Sequence, residues 1–176
     1  MHADDDKSFV VDLPDEAATL ALGARLGSVL GPGAVLYLEG DLGVGKTTLV
    51  RGILRSLGYA GRVKSPTYTL VEPHVVSGLY LYHFDFYRFN QPEEYLDAGL
   101  DEYFSDGNVC LVEWPDKAAP YLPPADMRIC LEPAGSGRHA HLRAGSAKGR
   151  QWLTCVAGLT NLASPDETSS VLPPPA

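Results

Sequence analysis

The apolar and polar positions along the chain follow two periods, and the switches between them mark the elements. Ala34-Val35-Leu36-Tyr37-Leu38-Glu39 is short and almost continuously apolar, the pattern of a buried strand. From Thr48 to Leu57 the apolar residues fall at 49, 50, 53, 54 and 57, which is helical spacing. Gly58 then stands where a helix ends on a left-handed residue. Phe9-Val10-Val11 predicts a short strand, and a helix opens over Leu13 to Leu20, favoured by Pro14 in the first turn and by Asp15 and Glu16 near the N-terminus. Leu20, Ala24 and the Leu26/Val29/Leu30 group are expected to form its inner stripe, and Gly31-Pro32-Gly33 ends it.

Thr69 to Val76 and Leu79 to Phe86 read as two strands joined by a hairpin at Ser77-Gly78. The second alternates, with Leu79, Leu81, His83 and Asp85 on one face and Tyr80, Tyr82, Phe84 and Phe86 on the other. Short helices are predicted over 91–98 and 100–104, and strands over 108–114 and 126–132. A turn at Gly135-Ser136-Gly137 leads to a hairpin partner at 139–143, and a closing helix runs from Arg150 to Leu162. Residues 1–8 and the Pro-rich stretch 164–176 have the composition of disordered ends, leaving one domain over 9–163.

Between the first buried strand and the helix after it lies Gly40-Asp41-Leu42-Gly43-Val44-Gly45-Lys46-Thr47-Thr48, which fits G-x-x-x-x-G-K-[ST]. The residue types suit the chemistry of a triphosphate. Gly40, Gly43 and Gly45 permit backbone conformations that turn several N–H groups inward. Those groups, from Gly43 through Val44 to Thr48, and the helix N-terminus attract phosphate. Lys46 is placed for the β- and γ-phosphates and the Thr47 hydroxyl for Mg²⁺. The pattern indicates nucleotide binding and leaves open what the nucleotide is used for.

The formal net charge of −8 over 176 residues argues against a broad basic surface for nucleic acid or acidic membranes. Contact with nucleic acid is therefore expected to be local or through partners. Cys110, Cys130 and Cys155 are odd in number and share no C-x-x-C spacing, which suits buried thiols in a reducing compartment. The acidic N-terminus is unlike a signal peptide, and no apolar run approaches membrane-spanning length, so a cytoplasmic location without a membrane partner is expected.

A P-loop ATPase also needs a carboxylate for the metal and a group that orients the attacking water. In α/β sheets such residues sit beyond the carboxyl ends of strands. Glu113 ends the most apolar strand, where it either reaches the metal beside Thr47 or faces solvent. Asp85, in His83-Phe84-Asp85-Phe86-Tyr87-Arg88, either positions water, ligates Mg²⁺ directly or through water, or caps the following turn. His83 reads as a structural residue packed beneath the site, Tyr87 as core, and Arg88 as a partner of phosphate, of Asp85 or of a surface acid. In the hydroxyl-rich loop Ser65-Pro66-Thr67-Tyr68, Thr67 is the residue chosen for the γ-phosphate contact. Trp114 reads more readily as core than as a stacking platform.

Taken together, 40–48, 65–71, 83–88 and Glu113-Trp114-Pro115 closely resemble the TsaE (YjeE) family, as does Leu13 to Thr19. The resemblance covers about residues 9 to 132 and assigns no role to Arg138, His139 or the final helix. It implies an α/β fold, a P-loop NTPase-like three-layer domain with a mixed parallel/antiparallel sheet. It also implies a bacterial ATPase using ATP and Mg²⁺. Such a protein works with TsaD and TsaB, which install threonylcarbamoyl on the adenosine beside the anticodon, and it hydrolyses ATP to reset them between turnovers. Residue by residue, the resemblance implies phosphate binding by Gly43 to Thr48 and Mg²⁺ ligation by Thr47 and Glu113. It makes Asp85 the catalytic carboxylate, 65–68 a switch-like loop, and Glu16 a contact to the nucleoside. The competing readings are a P-loop small-molecule kinase and a nucleotide-gated binding module; a GTPase lacks its N-K-x-D and D-x-x-G here.

Overall fold

Seven strands form one sheet in the computed structural model, which describes residues 8–162. The strands are β1 (Ser8–Leu13), β2 (Val35–Glu39), β3 (Val71–Val76), β4 (Leu79–Asp85), β5 (Asn108–Glu113), β6 (Met127–Ala134) and β7 (Gly137–Ala144), in the spatial order β1-β7-β6-β2-β5-β4-β3. The four central strands β6, β2, β5 and β4 are mutually parallel, while β3, β7 and β1 join antiparallel at the edges. The mixed sheet matches the expectation. Three helices, α1 (Glu16–Val29), α2 (Lys46–Ser56) and α4 (Ala147–Leu162), cover one face. The other carries the single turn α3 (Glu94–Asp97), two short 3-10 turns and their connections. The sheet is thus the middle of three layers.

The alternation in the strands sorts the core. Leu36, Leu38, Leu81, Val109, Leu111 and Ile129 face the long helices. Tyr37, Phe84, Cys110 and Val112 face the aromatic cluster with Phe86, Phe89 and Tyr95. The faces predicted for β4 are the faces observed.

Differences from the expected elements have local causes. Helix α2 begins at Lys46, two residues early, and Gly58 at φ +98° closes it as anticipated. In α1, Asp15 rather than Pro14 opens the helix: its carboxylate caps the Ala18 N–H at 2.8 Å. The buried face of α1 is Thr19, Leu22, Gly23, Leu26 and Gly27, not the stripe through Leu20 and Ala24. The cause is the approach of α2. A Cβ on Gly23 would lie 2.5 Å from the Leu49 carbonyl oxygen, and one on Gly52 would lie 2.5 Å from that of Leu20. Backbones this close require glycine, so glycines mark the contact face that a hydrophobic stripe leaves out.

Ser8, placed in the N-terminal segment, already belongs to β1. Residues 1–7 and the tail 164–176 lie outside the described residues. Among the described residues no helix is long and apolar enough to cross a membrane.

Candidate functional site

The parallel register decides where the acids meet. Asp85 and Glu113 end the neighbouring strands β4 and β5 and are direct register partners, so both carboxylates project at one level toward the helix side. Strand β2 runs parallel on the other side of β5 and delivers the glycine loop at the same end of the sheet. One cleft is lined by Leu42, Gly43, Gly45, Lys46, Thr47 and Thr48 from the loop and α2, by Ser65 and Thr67 from the loop after α2, and by Asp85, Glu113 and Trp114.

The glycines carry the turn. Gly40, Gly43 and Gly45 have φ of +132°, +79° and +118°, the left-handed side of backbone space. A Cβ on Gly40 would also lie 2.5 Å from the Leu131 carbonyl oxygen. Gly45 caps α2 without a side-chain bond, so the first N–H groups of the helix point outward with the positive end of its dipole. Val44 sends its side chain into the core and its N–H to the Asp41 carbonyl at 3.2 Å. Lys46 Nζ donates to the Gly40 carbonyl, and to that of Asp41 at 3.4 Å, and sits 4.0 Å above the Trp114 ring. Burial pulls the Lys46 pKa down, against the opposing pull of Glu113 and Asp85.

Around the acids the bonds form a closed set. Thr47 Oγ1 donates to Glu113 Oε1 at 3.3 Å. The His83 ring Nε2 lies 2.9 Å from Glu113 Oε2 and fixes the plane of that carboxylate. Ser65 Oγ bonds Asp85 Oδ2 and also reaches Glu113 Oε2 at 3.1 Å. Asp85 Oδ1 accepts the Tyr87 N–H at 2.9 Å, so this aspartate does cap the following turn while its other oxygen faces the cleft. Both acids are nearly enclosed, at 5% and 2% exposed. Two non-glycine residues with positive φ stand near these acids: Trp114, which lines the cleft, and Leu70, which packs against the aromatic cluster. Leu70 lets the loop turn back so that its carbonyl accepts the Asp85 N–H at 3.1 Å.

The structure therefore brings together Gly43, Gly45, Lys46, Thr47, Thr48, Thr67, Asp85 and Glu113 from the sequence reading. Gly40 and Val44 shape the turn without lining the cleft. Glu16 stands outside it, exposed at the start of α1, with its carboxylate 3.9 Å from Arg51 of α2. Arg88 does not pair with Asp85: it lies 4.3 Å over the Tyr68 ring and donates to its hydroxyl at 3.0 Å. Tyr87 is not core but half-exposed against Trp114, at 5.2 Å between ring centroids. Trp114 is half-buried, packed against the aromatic cluster as expected, and also forms a wall of the cleft, where its positive φ turns the chain at the end of β5. Ser65, which joins the two acids, lines the cleft with Thr67 but is not singled out by the sequence. Nothing local distinguishes two hydroxyls two residues apart in an irregular loop.

Chemically, a helix N-terminus with a lysine and glycine-freed N–H groups suits the phosphates of a nucleotide. Two carboxylates and a hydroxyl suit a hard divalent cation whose other ligands are phosphate and water. Among the described residues no group of three His, Cys, Asp or Glu could hold a metal ion by itself.

The comparisons with known proteins agree on one family. The model of the family described as "Threonylcarbamoyl adenosine biosynthesis protein TsaE" matches residues 13–140. A Haemophilus influenzae protein named "tRNA threonylcarbamoyladenosine biosynthesis protein TsaE" is 41% identical over 156 residues, covering 86% of this chain and 99% of the relative. One of the same name from Bacillus subtilis is 43% identical over 122 residues, covering 69% and 75%. The crystal structure of Bacillus subtilis YdiB superposes with a TM-score of 0.76 at 31% identity, covering 88% of this chain and 97% of that one.

Proposed function

The chain belongs to the TsaE family, and from that membership we propose that it is the ATP-hydrolysing subunit of the machinery that makes threonylcarbamoyladenosine in tRNA. On this reading it acts on TsaD and TsaB in the cytoplasm, resets them between turnovers, and meets tRNA only through them.

What supports the reading most is one observation: Thr47 from the phosphate cradle and the two register-paired acids from β4 and β5 converge on one cleft. The backbone N–H groups of Gly43 and of Gly45 to Thr48 hold the phosphates, and Lys46 swings from its carbonyl partners to the β- and γ-oxygens. Thr47 and Glu113 hold Mg²⁺, with Asp85 beside them as a further ligand directly or through water. The bound Mg²⁺ supplies charge neutralisation on the β- and γ-phosphates. His83 keeps the Glu113 carboxylate turned toward Thr47. Asp85, freed on one oxygen when Ser65 moves, orients the attacking water. Thr67, next to Ser65 at 3.5 Å, is placed to follow the γ-phosphate as the loop reorders.

The test is ATP turnover with and without TsaD and TsaB, on wild type and Asp85→Ala. The expected result is slow intrinsic hydrolysis that rises with the partners. Asp85→Ala should still bind ATP while losing roughly 100-fold or more in turnover, the scale for one preorganised polar group. A wild type that binds ATP but never hydrolyses it, even with partners, would instead make the chain a nucleotide-gated binding module. Full-rate turnover without partners would remove the coupling.

A further inference from the structure

The aromatic layer on the far side of the sheet from the long helices covers only half of it. Its strand residues come from β2, β5, β4 and β3, with Tyr37 of β2 at its border, and none comes from β6, β7 or β1. The outer face of those three strands is left open among the described residues. We propose that this face is the contact surface between two copies of the chain, packed sheet to sheet about a two-fold axis. The inference does not depend on what the nucleotide cleft binds.

Register sorts the open face into three rows. Ser8, Arg143 and Arg128 lie side by side across β1, β7 and β6; Val10, His141 and Cys130 form the next row; Asp12, His139 and Glu132 form the third. The first row is cationic and the third acidic. Between them Val10, 53% exposed, adds apolar surface beside the half-buried Cys130. Like charges directly opposite each other in a ladder are unfavourable, and Arg128 and Arg143 are such a pair. Glu39 answers Arg128 at 2.5 Å, but among the described residues no carboxylate lies within ion-pair reach of Arg143. At the other end Asp12 and Glu132 meet only imidazoles, His139 at 3.6 Å and His141 at 3.3 Å. Each end of the face lacks the charge that the other holds in excess.

That pattern is complementary to itself. A two-fold axis lying along the middle row reverses the strand direction and keeps each strand opposite its own copy. It sets Arg128 against Glu132 of the second copy, Arg143 between that copy's Asp12 and Glu132, and Cys130 against its own equivalent. An axis along the strands would set each row against itself and oppose like charges. The charge pattern therefore selects one of the two arrangements. Reversing the strand direction also sends the two nucleotide clefts to opposite ends of the dimer, where both stay open.

Area sets the strength. Strands β6 and β7 are 8 residues long each. At strand dimensions, the face from β1 to the border at β2 has a footprint of roughly 26 Å by 19 Å, about 500 Å² per copy. Two copies then bury about 1,000 Å², the low end for a specific contact, so the dimer is weak and its population follows concentration.

The test is analytical ultracentrifugation of the full chain over a concentration series, for wild type, Arg128→Glu, Glu132→Arg and an equimolar mixture of the two variants. Wild type should pass from monomer to dimer with a midpoint of roughly 10–100 µM, the scale for a contact of this size, and the midpoint should rise with salt. Each variant alone should associate roughly tenfold or more weakly, because the two-fold axis repeats every altered pair. The mixture should recover association, since the exchanged charges then face each other. Both positions are exposed, so melts at low concentration should match wild type and separate lost association from lost folding. In a Cys155→Ser background, with Cys110 buried, a short bismaleimide should join two copies through Cys130, and adding Arg128→Glu should remove most of that product. A wild type that stays monomeric at every concentration would overturn the proposal. So would single variants that match wild type, or a mixture that fails to recover, since a dimer built on another face would ignore these charges. Association that appears only when Asp4, Asp5 and Asp6 are changed to Asn would give the face to the chain's own acidic N-terminal segment, and would overturn it too.

Discussion

Replacing Gly52 with alanine should destabilise the protein, although alanine is the better helix former. In an exposed helix interior the exchange stabilises by about 0.5–1 kcal/mol, because glycine loses more backbone freedom on folding. Gly52 is different: a Cβ there would lie 2.5 Å from the Leu20 carbonyl oxygen, 3.0 Å from the Leu20 Cα and 3.1 Å from the Gly23 Cα. All three atoms are backbone of α1, so no side chain can rotate away and the two helices must move apart. Overpacking of this kind costs about 1–3 kcal/mol. That outweighs the propensity gain at all but its lower end and leaves a net loss of up to about 2.5 kcal/mol. In a domain of this size a kcal/mol moves the melting midpoint by roughly 2–4 °C, so a fall of up to about 10 °C is expected. Gly158 in α4 supplies the control, since a Cβ there would meet nothing within 4 Å. Gly158→Ala should raise the midpoint by roughly 1–4 °C. Circular dichroism melts of both variants against wild type are sufficient. A Gly52→Ala protein that melts at or above the Gly158→Ala protein would refute the reasoning about the α1–α2 contact. The outcome bears on function, because the phosphate cradle runs directly into α2.

Two further outcomes follow from buried polar groups. The Tyr95 hydroxyl is enclosed with no hydrogen-bond partner among the described residues, and burial, aided by the Asp101 charge, pushes its pKa up to about 12. Tyr95→Phe should hold the melting midpoint or raise it, by about 1 kcal/mol at most; a loss of more than that would reveal a bond the hydroxyl makes. Burial holds the Lys46 pKa below its ordinary value of 10.5, so its charged form is disfavoured in the folded state. The unfolded chain binds the extra proton between the lowered pKa and 10.5, and stability contributed by this group therefore rises with pH through that window. Lys46→Met should be more stable than wild type at neutral pH in the absence of nucleotide, with the advantage shrinking as pH approaches 10.5. Chemical denaturation at pH 7 and pH 10 checks this, and an advantage that widens with pH would refute it.

What the amino-acid order determined by itself was local or periodic. The strand, glycine loop and helix around Gly40 to Thr48 are contiguous, and their chemistry depends on neighbours in the chain. Alternation along β4 was enough to put His83 and Asp85 on one face, since side chains in a strand repeat every two residues. The ends of apolar strands named both acids for the same reason. Tertiary structure decided what depends on approach between distant segments. It made Ser65 the link between Asp85 and Glu113, beside the Thr67 named for the γ-phosphate, because an irregular loop has no period to read. It turned α1 so that Gly23 and Gly27 face inward, because glycine earns burial by letting backbones close rather than by being apolar. It set Arg138, far along the chain from Gly45, against that glycine, because the antiparallel pairing of β7 with β1 and β6 carries it there. Periodicity records which face of an element is buried; only packing records which other element lies against it.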